Sequence, residues 1–194
     1  LFVWSRGEEL VTEKFPEYHP LADRLPDGTV LDGEIMPYQD GQPLSFNQLQ
    51  TRIGRKNLTK KILQKAPVVM IVYDLLEWNG EDIRERPLRE RRALLERLLA
   101  EHRTGGVLLL SETVPFDNWA GLAEERAQSR QHRSEGLMLK RLDSPYRSGR
   151  RKGDWWKWKV DPLTIDAVMI YAQRGHGRRA NLFTDFTFAV WDGD

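Results

Sequence analysis

The sequence predicts a mixed α+β protein, and three observations carry that reading. The most apolar run, Val68 to Glu77 (VVMIVYDLLE), has the length and composition of a central strand and ends at Asn79-Gly80, a strong turn signal. Pro87 then opens a helix in which Leu88, Leu94, Leu95, Leu98 and Leu99 form an apolar stripe, ending near His102. After Pro162 the pattern changes. Ile165 to Ala172 and Phe183 to Trp191 alternate like antiparallel strands around a basic glycine loop, Gln173 to Asn181. The change sets an expected boundary, with one unit over 1–162 and a second over 163–194.

The remaining elements follow in order. Leu1 to Arg6 reads as the end of a strand, and Val11 to Leu25, broken by Pro16 and Pro20, as loop and short helix. Thr29 to Tyr38 is an expected strand that carries Leu31-Asp32-Gly33-Glu34. A carboxylate within a strand is costly unless it faces a cation or a cleft, which marks Glu34. Ser45 fits the N-cap of a helix through about Arg52, with Phe46, Leu49 and Ile53 on one face. Leu58 to Lys65 is a weaker helix, and Val107 to Ser111 a short strand. Asp117 to Gln131 is an expected helix with Trp119, Leu122 and Ala123 inward. The charges of the leucine-striped helix, Arg89 to Arg92 and Glu96-Arg97, read as its solvated face.

Composition narrows the function classes. The chain has 194 residues, 40% apolar and 30% charged, with a net charge of +1, so any nucleic-acid contact must come from patches. No cysteine is present, which removes disulfides, thiolate metal sites and cysteine nucleophiles and is compatible with a cytoplasm. No run approaches the roughly 18 apolar residues of a membrane span. His19, His102, His132 and His176 are scattered without ligand or triad spacing.

One stretch concentrates chemistry. Residues 140–159 hold eight cations, Lys140, Arg141, Arg147, Arg150, Arg151, Lys152, Lys157 and Lys159, against Asp143 and Asp154 only. Glu135 precedes it, and Trp155, Trp156 and Trp158 interleave with Lys157 and Lys159. In a strand these two lysines point to one face. Clustered cations among aromatics suit a polyphosphate or a nucleic-acid backbone. A solvated basic loop followed by a strand with a tryptophan-rich core face is the alternative that these residues leave open.

The chain also holds, in order, Ser5-Arg6, Leu31-Asp32-Gly33-Glu34, Tyr73-Asp74-Leu75-Leu76, Glu135-Gly136-Leu137-Met138-Leu139-Lys140 and Lys157-Trp158-Lys159. These resemble motifs Ia, III, IIIa, IV and V of the covalent nucleotidyltransferases, and specifically of ATP-dependent DNA ligases of the bacterial type. The resemblance spans essentially the whole chain. It implies an adenylation domain of antiparallel sheets flanked by helices, followed by the first strands of an OB-fold barrel. It also implies ATP and Mg²⁺ (or Mn²⁺) as cofactors, nicked duplex DNA as partner, and a monomer in the bacterial cytoplasm. Catalytic roles fall on Glu135, Lys157 and Lys159, and nucleotide contacts on Glu34, Tyr73, Lys157 and Lys159. Metal contacts fall on Glu34 and Glu135, and Asp74 is expected to be structural. By the same resemblance Arg6 grips phosphate at the nick, and Arg150, Arg151, Lys152 and Arg178 are the further expected nucleic-acid contacts.

The motif Lys-x-Asp-Gly, which supplies the adenylated lysine in that family, is absent from these residues, as is motif VI. The expectation is therefore a ligase fragment that does not adenylate itself. RNA ligases and mRNA-capping nucleotidyltransferases share these motifs, and a non-catalytic nick-binding module is the alternative of another class.

Overall fold

The structure, a computed structural model, describes residues 1–149 and 151–192. The chain divides into two compact units, Leu1–Lys159 and Val160–Asp194.

The first unit is built on a five-stranded sheet. Its strands are β1 (Val30–Gln39), β2 (Gln42–Pro43), β3 (Val68–Trp78), β4 (Glu81–Asp82) and β5 (Leu108–Leu110). β1 pairs antiparallel with β3 along most of its length, while β5 joins the other edge of β3 in parallel. The parallel pairing requires a crossover, supplied by α3 (Leu88–Glu101), whose Leu95 and Leu98 are fully buried in the core with Val72, Leu75 and Leu108. Each such leucine contributes about 1.5–3 kcal/mol by leaving water.

The β1–β3 ladder shifts register twice. Asp32 pairs with Asp74 and Gly33 with Val72, which leaves Tyr73 as the extra residue of a bulge. A bulge resets the alternation of faces. That is how Val72 and Leu75, three residues apart, both reach the core. Gly33 is required at this point, since a Cβ there would lie 2.6 Å from the Ile71 carbonyl oxygen.

Two further helices, α1 (Phe46–Ile53) and α2 (Lys60–Lys65), follow the β1–β2 turn. Ser45 occupies the N-cap position of α1 but its side chain makes no capping bond. The expected face of α1 is corrected. Leu49 is buried, but Phe46 and Ile53 are exposed, and Arg52 is the buried partner. Arg52 donates to both Glu17 carboxylate oxygens (2.6 and 2.5 Å) and to the Lys14 and Ala66 carbonyls, so its charge is fully satisfied. Leu1 to Arg6 forms no strand beyond a single bridge between Trp4 and Leu10.

α4 (Trp119–Ala127) is capped by Asn118, whose side chain accepts from the Gly121 amide at 2.9 Å. Leu122 is its buried residue, but Trp119 is 65% exposed rather than inward. A two-stranded antiparallel sheet, β6 (Gly136–Lys140) with β7 (Trp155–Lys159), completes the unit. The second unit contains one antiparallel hairpin, β8 (Val168–Arg174) and β9 (Phe183–Ala189), with a short 3-10 turn at Gly177–Arg179 between them.

Candidate nucleotide and nucleic-acid site

The β6–β7 ladder sets Gly136 opposite Lys159, Met138 opposite Lys157 and Lys140 opposite Trp155. Facing residues of an antiparallel pair share a side of the sheet. Lys157, Lys159 and Lys140 therefore line one side, and Trp156 and Trp158 the other. Gly136 makes the pairing possible. It has a φ of 140°, and a Cβ would stand 2.3 Å from the Trp158 carbonyl oxygen.

Glu135 precedes this strand and accepts from the Lys159 ammonium at 2.5 Å, both side chains being exposed. The hydrogen bond and charge of Lys159 hold the Glu135 carboxyl below its ordinary value, with Lys157 adding to the effect. Behind the pair, Arg126 of α4 donates to the Lys159 carbonyl at 2.6 Å and lies 5.0 Å over the Trp158 ring, fixing the end of β7 from outside.

Lys140 crosses from β6 to the larger sheet. Its ammonium sits 4.3 Å from the centre of the Tyr73 ring and 4.0 Å from that of Trp155. Burial there lowers its pKa, opposed by Asp74 and Asp32. Tyr73, half-buried on the bulge of β3, donates its hydroxyl to Asp32 Oδ1 at 2.9 Å. Tyr146 donates to Asp32 Oδ2 at 2.7 Å. Burial raises the pKa of both tyrosines, and the Asp32 charge raises them further. Beneath them Asp74 and Arg91, both fully buried, form a bidentate pair at 2.8 and 2.9 Å. Arg91 thus departs from the solvated face expected of the Arg89–Arg92 run, because it shares the inward stripe with Leu88, Leu95 and Leu98. Asp74 has the structural role expected of it.

The other residues read from the sequence are spread more widely. Glu34 is exposed on β1, opposite Ile71, and makes no hydrogen bond or ion pair among the described residues. Arg6 is exposed in a turn closed by the Ser5 hydroxyl, which accepts from the Gly7 and Glu9 amides at 3.2 Å. Arg151 and Lys152 line an open polar depression with Arg84, Arg147 and Tyr146. Arg178 is exposed on the turn of the second unit, and Arg150 lies outside the described residues. Among the described residues no three His, Asp or Glu side chains cluster as a ready-made metal site. Glu34 on β1 and Glu135 before β6 are both exposed carboxylates, a donor chemistry that suits a hard cation.

Sequence reasoning counted Lys140 only among the clustered cations and assigned no role to Tyr146 or Arg126. The Tyr146–Asp32 contact joins residues 114 positions apart, so nothing local in the sequence pointed to it.

The family model described as ATP dependent DNA ligase domain matches residues 1–159. The chain belongs to that family. Among curated relatives of this ligase segment, a probable DNA ligase of Koribacter versatilis is 33% identical over 99% of the chain, which spans 37% of that protein. A DNA ligase of Methanoculleus marisnigri is 35% identical over 98% of the chain and 34% of its own length. Among solved structures, mycobacterial DNA ligase D complexed with ATP and MES superposes with a TM-score of 0.62 at 35% identity. That match covers 81% of the ligase segment and 47% of the solved chain. A Lig E DNA ligase gives a TM-score of 0.67 over 98% of the segment and 67% of its own chain, at 16% identity, a likeness of fold alone. The chain spans between about a fifth and little more than a third of the length of the first curated relatives. No helix among the described residues is long and apolar enough to cross a membrane.

Proposed function

We propose that the protein carrying this chain seals nicks in duplex DNA at the expense of ATP, working as a monomer in the bacterial cytoplasm. The observation that carries the reading is the Glu135–Lys159 pair beside Lys157 at the edge of β6–β7, in a chain of the ATP-dependent DNA ligase family.

Three bond exchanges make up the proposed reaction. A lysine amine attacks the α-phosphorus of ATP and pyrophosphate leaves. The 5′-phosphate at the nick then attacks the lysine-bound AMP and the lysine leaves. Finally the 3′-hydroxyl attacks the activated 5′-phosphate and AMP leaves. No lysine in these 194 residues is followed by x-Asp-Gly, so the nucleophile belongs elsewhere in the protein. The residues at hand supply electrostatics and position. Lys157 and Lys159, on one side of β7, neutralise charge that builds on the α-phosphate. Glu135 holds the Lys159 ammonium in the meantime. Tyr73 offers an aromatic face to the adenine. Arg6, Arg151, Lys152 and Arg178, all exposed, contact the DNA backbone, which positions the duplex without reading its sequence.

Glu34 and Glu135 would hold Mg²⁺ or Mn²⁺, which when bound screens the phosphate charge. By the same reading the second unit opens an OB-fold domain, supported by its β8–β9 hairpin.

The test is nick sealing by the full-length protein. Lys159→Ala and Lys157→Ala are each expected to lower the rate by about a hundredfold or more. Sealing at the wild-type rate by both variants would contradict the roles given. A preference for nicked RNA, or for GTP, would move the protein to the RNA-ligase or capping branch.

A further inference from the structure

We propose that Asp32 and Tyr146 are positioning residues for the nucleotide, forming with the Tyr73 hydroxyl a clasp that fixes the ring on which a base stacks. The inference rests on reading Tyr73 as the stacking residue of a nucleotide site.

A phenylalanine at position 73 would stack a base as well as tyrosine does, so the hydroxyl has another task. It is spent on Asp32 Oδ1, while the second oxygen of the same carboxylate takes the Tyr146 hydroxyl. Both hydroxyls donate to a carboxylate; the Tyr146 bond, at 2.7 Å, has the length of a short charge-assisted one, and the Tyr73 bond, at 2.9 Å, is of ordinary length. The three residues come from β1, β3 and the loop after β6, so one carboxylate ties three distant parts of the chain together.

The tie is needed because Tyr73 is the extra residue of a bulge, with no ladder partner of its own. A hydrogen bond at the hydroxyl pins the far end of the ring's long axis but leaves rotation about that axis free. Lys140, 4.3 Å above the ring, restrains that second motion. The anchor at the other end is itself held. Tyr146 meets Trp155 edge-on at 5.6 Å and has the Arg91 guanidinium 6.0 Å from its ring. The Trp155 indole N–H in turn donates to the Ser144 hydroxyl at 3.2 Å. The clasp thus rests on the buried Asp74–Arg91 pair.

A ring held in advance binds a base without the cost of ordering it on arrival. Loss of either hydroxyl is therefore read in ATP affinity and not in the chemical step.

The experiment measures self-adenylation of the full-length protein against ATP concentration for wild type, Tyr73→Phe, Tyr146→Phe and the double variant, with melting temperatures alongside. Each single variant is expected to raise KM for ATP roughly three- to tenfold, with kcat within about twofold. The double variant is expected to be no worse than the worse single, since both hydroxyls act through Asp32. An unchanged KM in Tyr73→Phe overturns the clasp even if Tyr146→Phe fails to fold. Effects that multiply in the double variant, or a loss confined to kcat, overturn it as well. A wild-type protein that takes up no AMP defeats the ligase reading and the clasp together. Wild-type adenylation with unmoved variants defeats the clasp alone.

Discussion

Arg91 and Tyr73 are each set apart by one neighbour. Arg91 is buried with Asp74, and removing the guanidinium would leave that carboxylate charged and unpaired. Arg91→Ala is expected to cost about 3–5 kcal/mol in denaturant unfolding. A loss below about 1 kcal/mol would show that Asp74 finds another partner. The role was legible in the spacing, because 88, 91, 95 and 98 step by three and four along one helical face, but a run of four charged residues hides a buried member. Tyr18, Tyr73 and Tyr146 make a second prediction. Burial raises all three above the ordinary value of 10.0, so above that pH the unfolded chain loses these protons before the folded chain does. The unfolded state then binds fewer protons, and stability falls as pH rises beyond about 10, being fully present below it. Unfolding midpoints measured from pH 8 to 11 should show that fall, and Tyr73→Phe should shrink it. A flat profile would contradict the buried hydroxyl network.

Among the elements, the β6–β7 pair depends on one glycine. Gly136→Ala would push a Cβ into the Trp158 carbonyl and force a left-handed φ on a residue that resists it. The expected result is a separated strand pair, loss of the Glu135–Lys159 contact and loss of sealing. Crystallography or exchange of the ladder amides of β6 and β7 would reveal it, and unchanged protection would refute it. The longer strands β1, β3, β8 and β9 and the leucine helix could be read from composition and period, and the motif lysines from the family resemblance. Leu1 to Arg6 reads as the end of a strand but forms only a single bridge. The bulge at Tyr73 could not be read, because register is a property of two strands and only the partner's pairing shows which residue is extra. Trp119 reads as inward, but the buried residue of α4 is Leu122, and Trp119 meets the Trp158 ring edge-on at 6.3 Å.

Across the whole molecule, the residues proposed to face the nucleotide come together more fully than those proposed to face DNA. Arg151 and Lys152 sit together on the depression beside Tyr146, whereas Arg178 belongs to the second unit. The β8–β9 hairpin leaves Val168, Ile170, Phe186 and Phe188 exposed, and a two-stranded hairpin alone is marginally stable. Alternating residues revealed those strands, but no alternation says what covers them. If Arg151 and Lys152 each hold a phosphate, changing either to alanine should weaken nick binding and reduce the log–log salt slope by about one. An unchanged slope would remove them from the interface.

The most direct measurement is the intact mass of the full-length protein after incubation with ATP and Mg²⁺. The account predicts the gain of a single AMP, lost again in acid as a lysine phosphoramidate is, and a much slower gain in Lys159→Ala. No adduct from ATP, or a GMP adduct from GTP in its place, would contradict it.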